Sequence, residues 1–66
     1  MGVMKVIEIM ANSNKSWEDA TRNAVIYASN SVKHIKSAYV KDQSMIIKDN
    51  EVAEFRVNVK ITFEVK

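Results

Sequence analysis

The sequence predicts an α+β domain of order β-α-β-β, a three-stranded antiparallel sheet with one helix packed on one face. The first observation is the strict alternation of apolar and polar residues over positions 55–66, which indicates a strand with one buried face. The second is a capped amphipathic stretch that begins after Ser16, and the third is the turn-forming pair Asp49-Asn50. A strand as long and regular as 55–66 is expected at the centre of the sheet.

Length and composition limit the class of protein. A chain of 66 residues is one domain with a marginal core of its own, and domains of this size commonly gain stability from disulfides, a metal or oligomerisation. Cysteine is absent and there is one histidine, so disulfides are excluded and a zinc site is not supported. Oligomerisation is the remaining option. No stretch resembles a membrane span or a signal peptide, so a cytoplasmic location is the default.

The first strand is predicted over residues 3–10. Val3, Lys5, Ile7 and Ile9 share one face, while the face carrying Met4 to Met10 at even positions is also mostly apolar. One helix cannot cover both faces, so we expect the second face to meet another subunit. Residues 11–15 are predicted to form a loop.

The helix is predicted from Trp17 to about Val32 or Lys33. Ser16 is expected to accept a hydrogen bond from the amide of Asp19, and Asp19 can reach back to the amide of Ser16. Small residues at the centre of the apolar stripe allow the helix to lie close to the sheet. The predicted stripe consists of Trp17, Ala20, Thr21, Ala24, Val25, Ala28, Ser31 and Val32, with Ile26 facing away and Tyr27 flanking it.

The second strand is predicted over residues 33–48, joined to the third by a two-residue turn at Asp49-Asn50. This turn sets the pairs 48–51, 46–53, 40–59 and 38–61. The side of the sheet that faces the helix then carries Ala38, Val40, Ile46, Ala53, Val59 and Ile61. The opposite side carries Ser37, Tyr39, Lys41, Gln43, Met45, Glu54, Arg56, Asn58, Lys60 and Thr62.

Three segments resemble the dodecin family: KVIEIMANSNKSWEDATRNAV, SVKHIKSAYVKDQ and EFRVNVKITFEV. The resemblance covers nearly the whole chain and implies the β-α-β-β fold. It also implies assembly into a hollow homododecamer that stores or scavenges flavin rather than catalysing a reaction. Most members bind riboflavin, FMN or FAD, with paired isoalloxazine rings held between tryptophans near two-fold axes.

Two residues depart from the flavin-binding pattern that this resemblance implies. Ser37 stands where the stacking tryptophan is found, and Arg56 stands where a glutamine hydrogen-bonds the ring edge. Ser37 has no π surface, and a guanidinium donates hydrogen bonds but cannot accept one from the flavin imide. Asp42 and Gln43 also correspond to the ligand region. We therefore expect flavin affinity to be weak or lost. In the alternative interpretation of Arg56 and Asp42, they are ordinary surface residues paired with opposite charges.

Relatives without the tryptophan resemble cation-associated shells, which makes calcium or magnesium the alternative ligand. Asp42, Glu54 and Glu64 are the candidate metal ligands. Calcium takes 6–8 oxygens, and no stretch has EF-hand spacing, so such a site would have to be assembled between subunits.

Other functions find little support in the sequence. No nucleophile–base pair or paired-carboxylate spacing stands out, so an enzyme is not favoured. His34 is expected to be structural, at the exit of the helix. Tyr39 and Lys41 would suit contact with nucleic acid, but the formal charge is only +2 and the lysines are scattered. The expected partner is a second copy of the chain, with neither nucleic acid nor membrane.

Overall fold

A computed structural model describes residues 2–66 and shows the predicted order of elements. The elements are β1 (Val3–Ser13), α1 (Trp17–Ser29), β2 (Ile35–Lys48) and β3 (Glu51–Val65). The sheet order is β1-β3-β2, with β3 antiparallel to both neighbours. The α+β class, the antiparallel sheet and the central position of the last strand are confirmed. Over residues 2–66, no helix has the length and apolar character needed to cross a membrane.

The core lies between β3 and α1, as the two periodicities predict. The apolar face of β3 meets a stripe of alanines, and the small alanine side chains let the helix backbone approach the sheet closely. Complete burial of a valine or isoleucine side chain contributes about 1.5–3 kcal/mol, and an alanine methyl contributes less. The core residues are Ala20, Ala24, Ala28, Val57, Val59 and Ile61, all at most 3% exposed. With six residues, the core is small, which agrees with the expectation that the chain needs further burial elsewhere.

The start of the helix combines a predicted cap with an unpredicted hydrogen bond. The hydroxyl of Ser16 accepts from the amide of Asp19 at 2.9 Å, which confirms the cap. The carboxylate of Asp19 accepts from the buried hydroxyl of Ser13 at 2.7 Å, and that hydroxyl also accepts from the amide of Lys15. Ser13 belongs to β1, so the predicted loop over residues 11–15 is wrong for residues 11–13. These contacts tie the end of β1 to the first turn of the helix.

The helix ends at Ser29. The predicted end at Val32 or Lys33 is therefore too late by three or four residues. The amides of Asn30 and Ser31 bond to carbonyls three residues back, so the last turn tightens. The hydroxyl of Ser29 donates to the carbonyl of Ile26, which satisfies a C-terminal acceptor. The chain then reverses through His34, whose φ is 64°, and the carbonyl of His34 accepts from the amide of Glu64. The chain must turn back to the sheet here, so the helix ends before Val32 although Val32 continues the apolar spacing of the helix.

The hairpin between β2 and β3 has the predicted two-residue turn. Asp49 and Asn50 have φ of 53° and 64°, the conformation of a type I′ turn. The pairs Lys48↔Glu51, Val40↔Val59 and Ala38↔Ile61 are confirmed. The predicted pair 46–53 is wrong, because Ile46 pairs with Glu54.

Three register shifts explain that difference and change which side chains share a face. They occur between Ile35 and Ser37, between Val40 and Asp42, and between Ile46 and Ile47, and each inserts one extra residue. The extra residues are Lys36 and Lys41 on β2 and Ala53 on β3.

Residues 42–46 consequently switch faces relative to the prediction. Gln43 pairs with Val57 and Met45 pairs with Phe55, so both lie on the helix side of the sheet rather than the opposite side. Ile46, predicted against the helix, pairs with Glu54 on the opposite side. The placement of Ser37 and Tyr39 opposite Thr62 and Lys60 is confirmed.

Candidate ligand face

The side of the sheet away from the helix, here called the open face, carries most of the candidate site residues. Cross-strand neighbours point to the same side, so the pairing defines its membership. The paired residues of the open face are Met4, Val6, Glu8, Met10 and Asn12 on β1, Ser37, Tyr39, Asp42, Ser44 and Ile46 on β2, and Glu54, Arg56, Asn58, Lys60, Thr62 and Glu64 on β3. The centre is polar, and the β1 edge is apolar.

Ser37 and Arg56 lie on the open face but do not come together within one chain. Ser37 pairs with Thr62, six residues along β3 from Arg56, which corresponds to about 20 Å. Arg56 is held by Asn12, whose side-chain oxygen accepts from its Nε at 3.0 Å. A ligand that touches both residues would have to bind between copies of the chain.

Asp42 and Gln43 are neighbours in sequence that point to opposite sides. The extra residue at Lys41 places Asp42 on the open face beside Asn58, whose amide donates to its Oδ2 at 3.5 Å. Gln43 lies on the helix side and is exposed. Of the two, only Asp42 can therefore contribute to a site on the open face of its own chain.

The three candidate metal ligands are spread along the sheet. Glu54 and Glu64 are ten residues apart on β3, or about 33 Å, with Asp42 between them beside Asn58. Within the described range 2–66, no three Asp, Glu, His or Cys side chains are grouped in a way that could hold a metal. Carboxylate oxygens have the right chemistry for calcium, but one chain brings too few together.

Charge pairing distinguishes these carboxylates from one another. Glu64 is 21% exposed and lies 3.7 Å from Lys36 and 3.8 Å from Lys66, so its charge is largely compensated. Its carboxylate also packs against Gly2, where an added Cβ would collide with it. In residues 2–66, neither Asp42 nor Glu54 has a lysine or arginine within ion-pair distance.

A charged row crosses the open face beside Asp42. Lys41 on β2 reaches over β3 to Glu8 on β1 at 3.5 Å, and Lys60 lies opposite Glu8 in the sheet. Both members of the Lys41–Glu8 pair are nearly half exposed, and such pairs contribute about 0–1 kcal/mol.

Sequence reasoning missed the roles of Asn12 and Asn58, which hold Arg56 and Asp42. The alternation of β3 would have revealed Asn58, but Asn12 was assigned to a loop.

Trp17 does not contribute to the open face. Its Nε1 donates to the carbonyl of Ser44 at 2.9 Å, and its ring meets Phe55 edge-on with centroids 5.2 Å apart. It therefore anchors the helix start to the hairpin.

The fold defines the class of protein: a small α+β domain of order β-α-β-β, with one helix on one side of a three-stranded antiparallel sheet and a largely polar open face on the other. Residues 3–66 match the family model of dodecin, so the chain belongs to the dodecin family. Dodecins are non-enzymatic binding proteins, and the family forms homododecamers.

Individual relatives agree with this membership. The chain is 35% identical over 66 residues to the calcium dodecin of Mycobacterium tuberculosis, covering all of this chain and 93% of the relative. A crystal structure of that calcium-chelating antigen, with a calcium-binding site, matches with a TM-score of 0.86 at 34% identity over 97% and 91% of the two chains. The dodecin of Streptomyces coelicolor matches with a TM-score of 0.94 at 28% identity over 98% and 93%.

Proposed function

We propose that this chain is the subunit of a non-enzymatic, homododecameric storage shell that binds calcium, and that its affinity for flavin is weak or lost. The observation that carries the choice of calcium is Asp42. Its carboxylate is exposed on the open face, with an amide neighbour and no cationic side chain within ion-pair distance in residues 2–66. The similarity to a calcium dodecin along the whole chain supports the same choice.

The site is proposed to form between copies of the chain. A single chain offers Asp42 alone at that point of the sheet, whereas calcium takes 6–8 oxygen ligands, some of which can be water. Symmetry would bring further copies of one carboxylate together, and their mutual repulsion favours a bound cation. Glu54 is the second candidate ligand. Glu64 is the weakest, because Lys36 and Lys66 already compensate its charge.

The proposal of weak flavin binding depends on side chains of the same open face. Ser37 provides no ring for stacking, and Arg56 already donates to Asn12. The neighbours of these positions on β2 and β3 are mostly polar, whereas ligand pockets are mostly apolar with a few placed polar groups.

The test is thermal melting of metal-stripped protein at one protein concentration, with calcium, with magnesium and with a chelator. A ligand present at a hundred times its Kd stabilises by about 2.7 kcal/mol, so calcium should raise the melting temperature by several degrees. Asp42→Asn should remove that rise, because the amide is isosteric but uncharged.

Asp49→Asn is the matched control, since it removes one carboxylate from the turn and keeps the positive φ tolerable. It should leave the calcium response intact. Identical melting curves in calcium and in chelator would refute the calcium proposal.

A further inference from the structure

The outer part of the β2–β3 hairpin extends beyond the rest of the sheet. The last pair between β1 and β3 is Ser13↔Phe55, so residues 51–54 pair only with β2. The helix begins at Trp17, which is bonded to Ser44 and packed on Phe55, so neither β1 nor α1 continues past this point. The molecule is accordingly long and narrow, with extents of 50 × 19 × 14 Å.

This outer segment presents an apolar surface, the distal hairpin face, made of Met45, Ile47 and Val52. The register shifts place all three on the helix side of the sheet, because Met45 pairs with Phe55 and Ile47 pairs with Val52. Their exposed fractions are 44%, 56% and 50%. A two-stranded ribbon is at best marginally stable in water, so an uncovered apolar face here requires a partner.

A second apolar surface lies at the free edge of β1. This edge groove has a volume of about 360 Å³ and is lined by Ile9, Met10, Ala11, Asn23, Ala24 and Tyr27. Asn23 is its single polar lining residue, while Met10 and Tyr27 are 60% and 71% exposed. Consecutive strand residues point to opposite faces, so lining by residues 9–11 places the groove at the margin of the sheet.

The two surfaces cannot cover each other within one chain. Ile9 is level with Val59, which lies four residues along β3 from the partner of Met45 and seven from Val52, or about 13–23 Å away. The β1 edge and the β2 edge also lie on opposite sides of β3. Any contact between the groove and the hairpin is therefore a contact between two molecules.

We propose that the distal hairpin face of one copy seats in the edge groove of a second copy. A small apolar ligand in the groove would leave the hairpin face exposed, whereas a second copy covers both surfaces with one contact. The contact joins two different patches, so it is heterologous, and repeated around a symmetry axis it generates a closed assembly. The inference deepens the proposed shell and rests on it, because it names the surfaces that join the subunits.

Site-directed cross-linking tests this contact directly, since the chain has no cysteine of its own. Separately prepared V52C and M10C chains are dissociated, mixed, reassembled and treated with a short bismaleimide. We expect V52C–M10C dimers in at least tenfold excess over dimers formed from V52C and V3C. Val3 is the matched control because it is similarly exposed, at 68%, but lies seven residues from Met10 along β1, or about 23 Å away.

A charge substitution gives an independent measurement. Ile47→Glu should raise the protein concentration needed for assembly by at least tenfold, because the groove would have to bury a carboxylate. Asn14→Glu, with the same change of charge at an exposed residue outside the sheet, should alter it much less.

The outcomes separate this contact from the proposed function. A wild-type dodecamer that yields V52C–M10C dimers no faster than the control refutes the contact and leaves the shell intact. Predominant V52C–V52C dimers also refute it, since they indicate that two hairpins pack on each other. A wild-type protein that remains a monomer refutes the shell itself.

Discussion

At the scale of single residues, two side chains of the open face carry the prediction that flavin affinity is weak or lost. Ser37 leaves no aromatic surface, and the guanidinium of Arg56 is already engaged by Asn12 at 3.0 Å. An aromatic stack contributes about 0.5–1.5 kcal/mol beyond its buried area, and a sandwich uses such a ring on each side of the flavin pair. The predicted weakness of flavin binding should therefore be reversible by substitution.

The double variant Ser37→Trp with Arg56→Gln should bind riboflavin and FMN at least tenfold more tightly than the wild type. Ser37→Trp alone should recover only part of this gain, because Arg56 cannot accept from the flavin imide. Quenching of flavin fluorescence measures the affinity. Ser44→Trp is the control, since it adds the same ring at another exposed serine of the open face. Strong quenching by the wild type would contradict this account.

At the scale of elements, the β2–β3 hairpin determines where the ligands and the contacts lie. Its type I′ turn has two non-glycine residues with positive φ, Asp49 and Asn50. Its extra residues at Lys41 and Ala53 turn Asp42 to the open face and Met45 to the helix side. Trp17 then links the helix start to this hairpin through its hydrogen bond to the carbonyl of Ser44.

Asn50→Ala should lower the free energy of unfolding by about 1 kcal/mol, because alanine tolerates positive φ less well than asparagine. Asn50→Gly should leave stability unchanged or raise it slightly, since Asp-Gly is a preferred pair for this turn. Denaturant unfolding followed by circular dichroism, at one protein concentration, compares the two. An alanine variant as stable as the wild type would show that the turn does not hold the positive φ at residue 50.

At the scale of the whole molecule, the balance of buried and exposed apolar surface favours assembly. Six side chains form the core, whereas eleven large hydrophobic residues among residues 2–66 are more than 40% exposed. These lie on β1, on the outer helix and along the hairpin, so one chain has apolar surface on several sides. A single small core is rarely sufficient at this length without a disulfide or a metal.

Mass photometry at low protein concentration should therefore report a particle of about 90 kDa, twelve times the 7.5 kDa of one chain. The burial of exposed apolar surface is expected to drive this association. Sedimentation velocity provides the control for shape, since a hollow shell sediments more slowly than a solid sphere of equal mass. A stable folded monomer at micromolar concentration would contradict the prediction.

The sequence by itself determined the order of elements, the central strand, the helix cap and the turn. Each depends on a local rule: the period of two over residues 55–65, the hydroxyl of Ser16, and the tolerance of Asp49 and Asn50 for positive φ. The assignment of Ser37 and Arg56 to a former flavin site stays a prediction, because it depends on the family resemblance alone.

Only the tertiary structure decided which side chains share a face. An extra residue in a strand leaves no mark in the apolar pattern, because it arises from the twist and pairing of two strands. The shifts at Lys41 and Ala53 moved Gln43 and Met45 to the helix side and Ile46 to the open face, against the alternation expected from the turn. The helix end behaved similarly. Val32 continues the apolar pattern of the helix, but the chain returns to the sheet through His34, so the helix ends earlier, at Ser29.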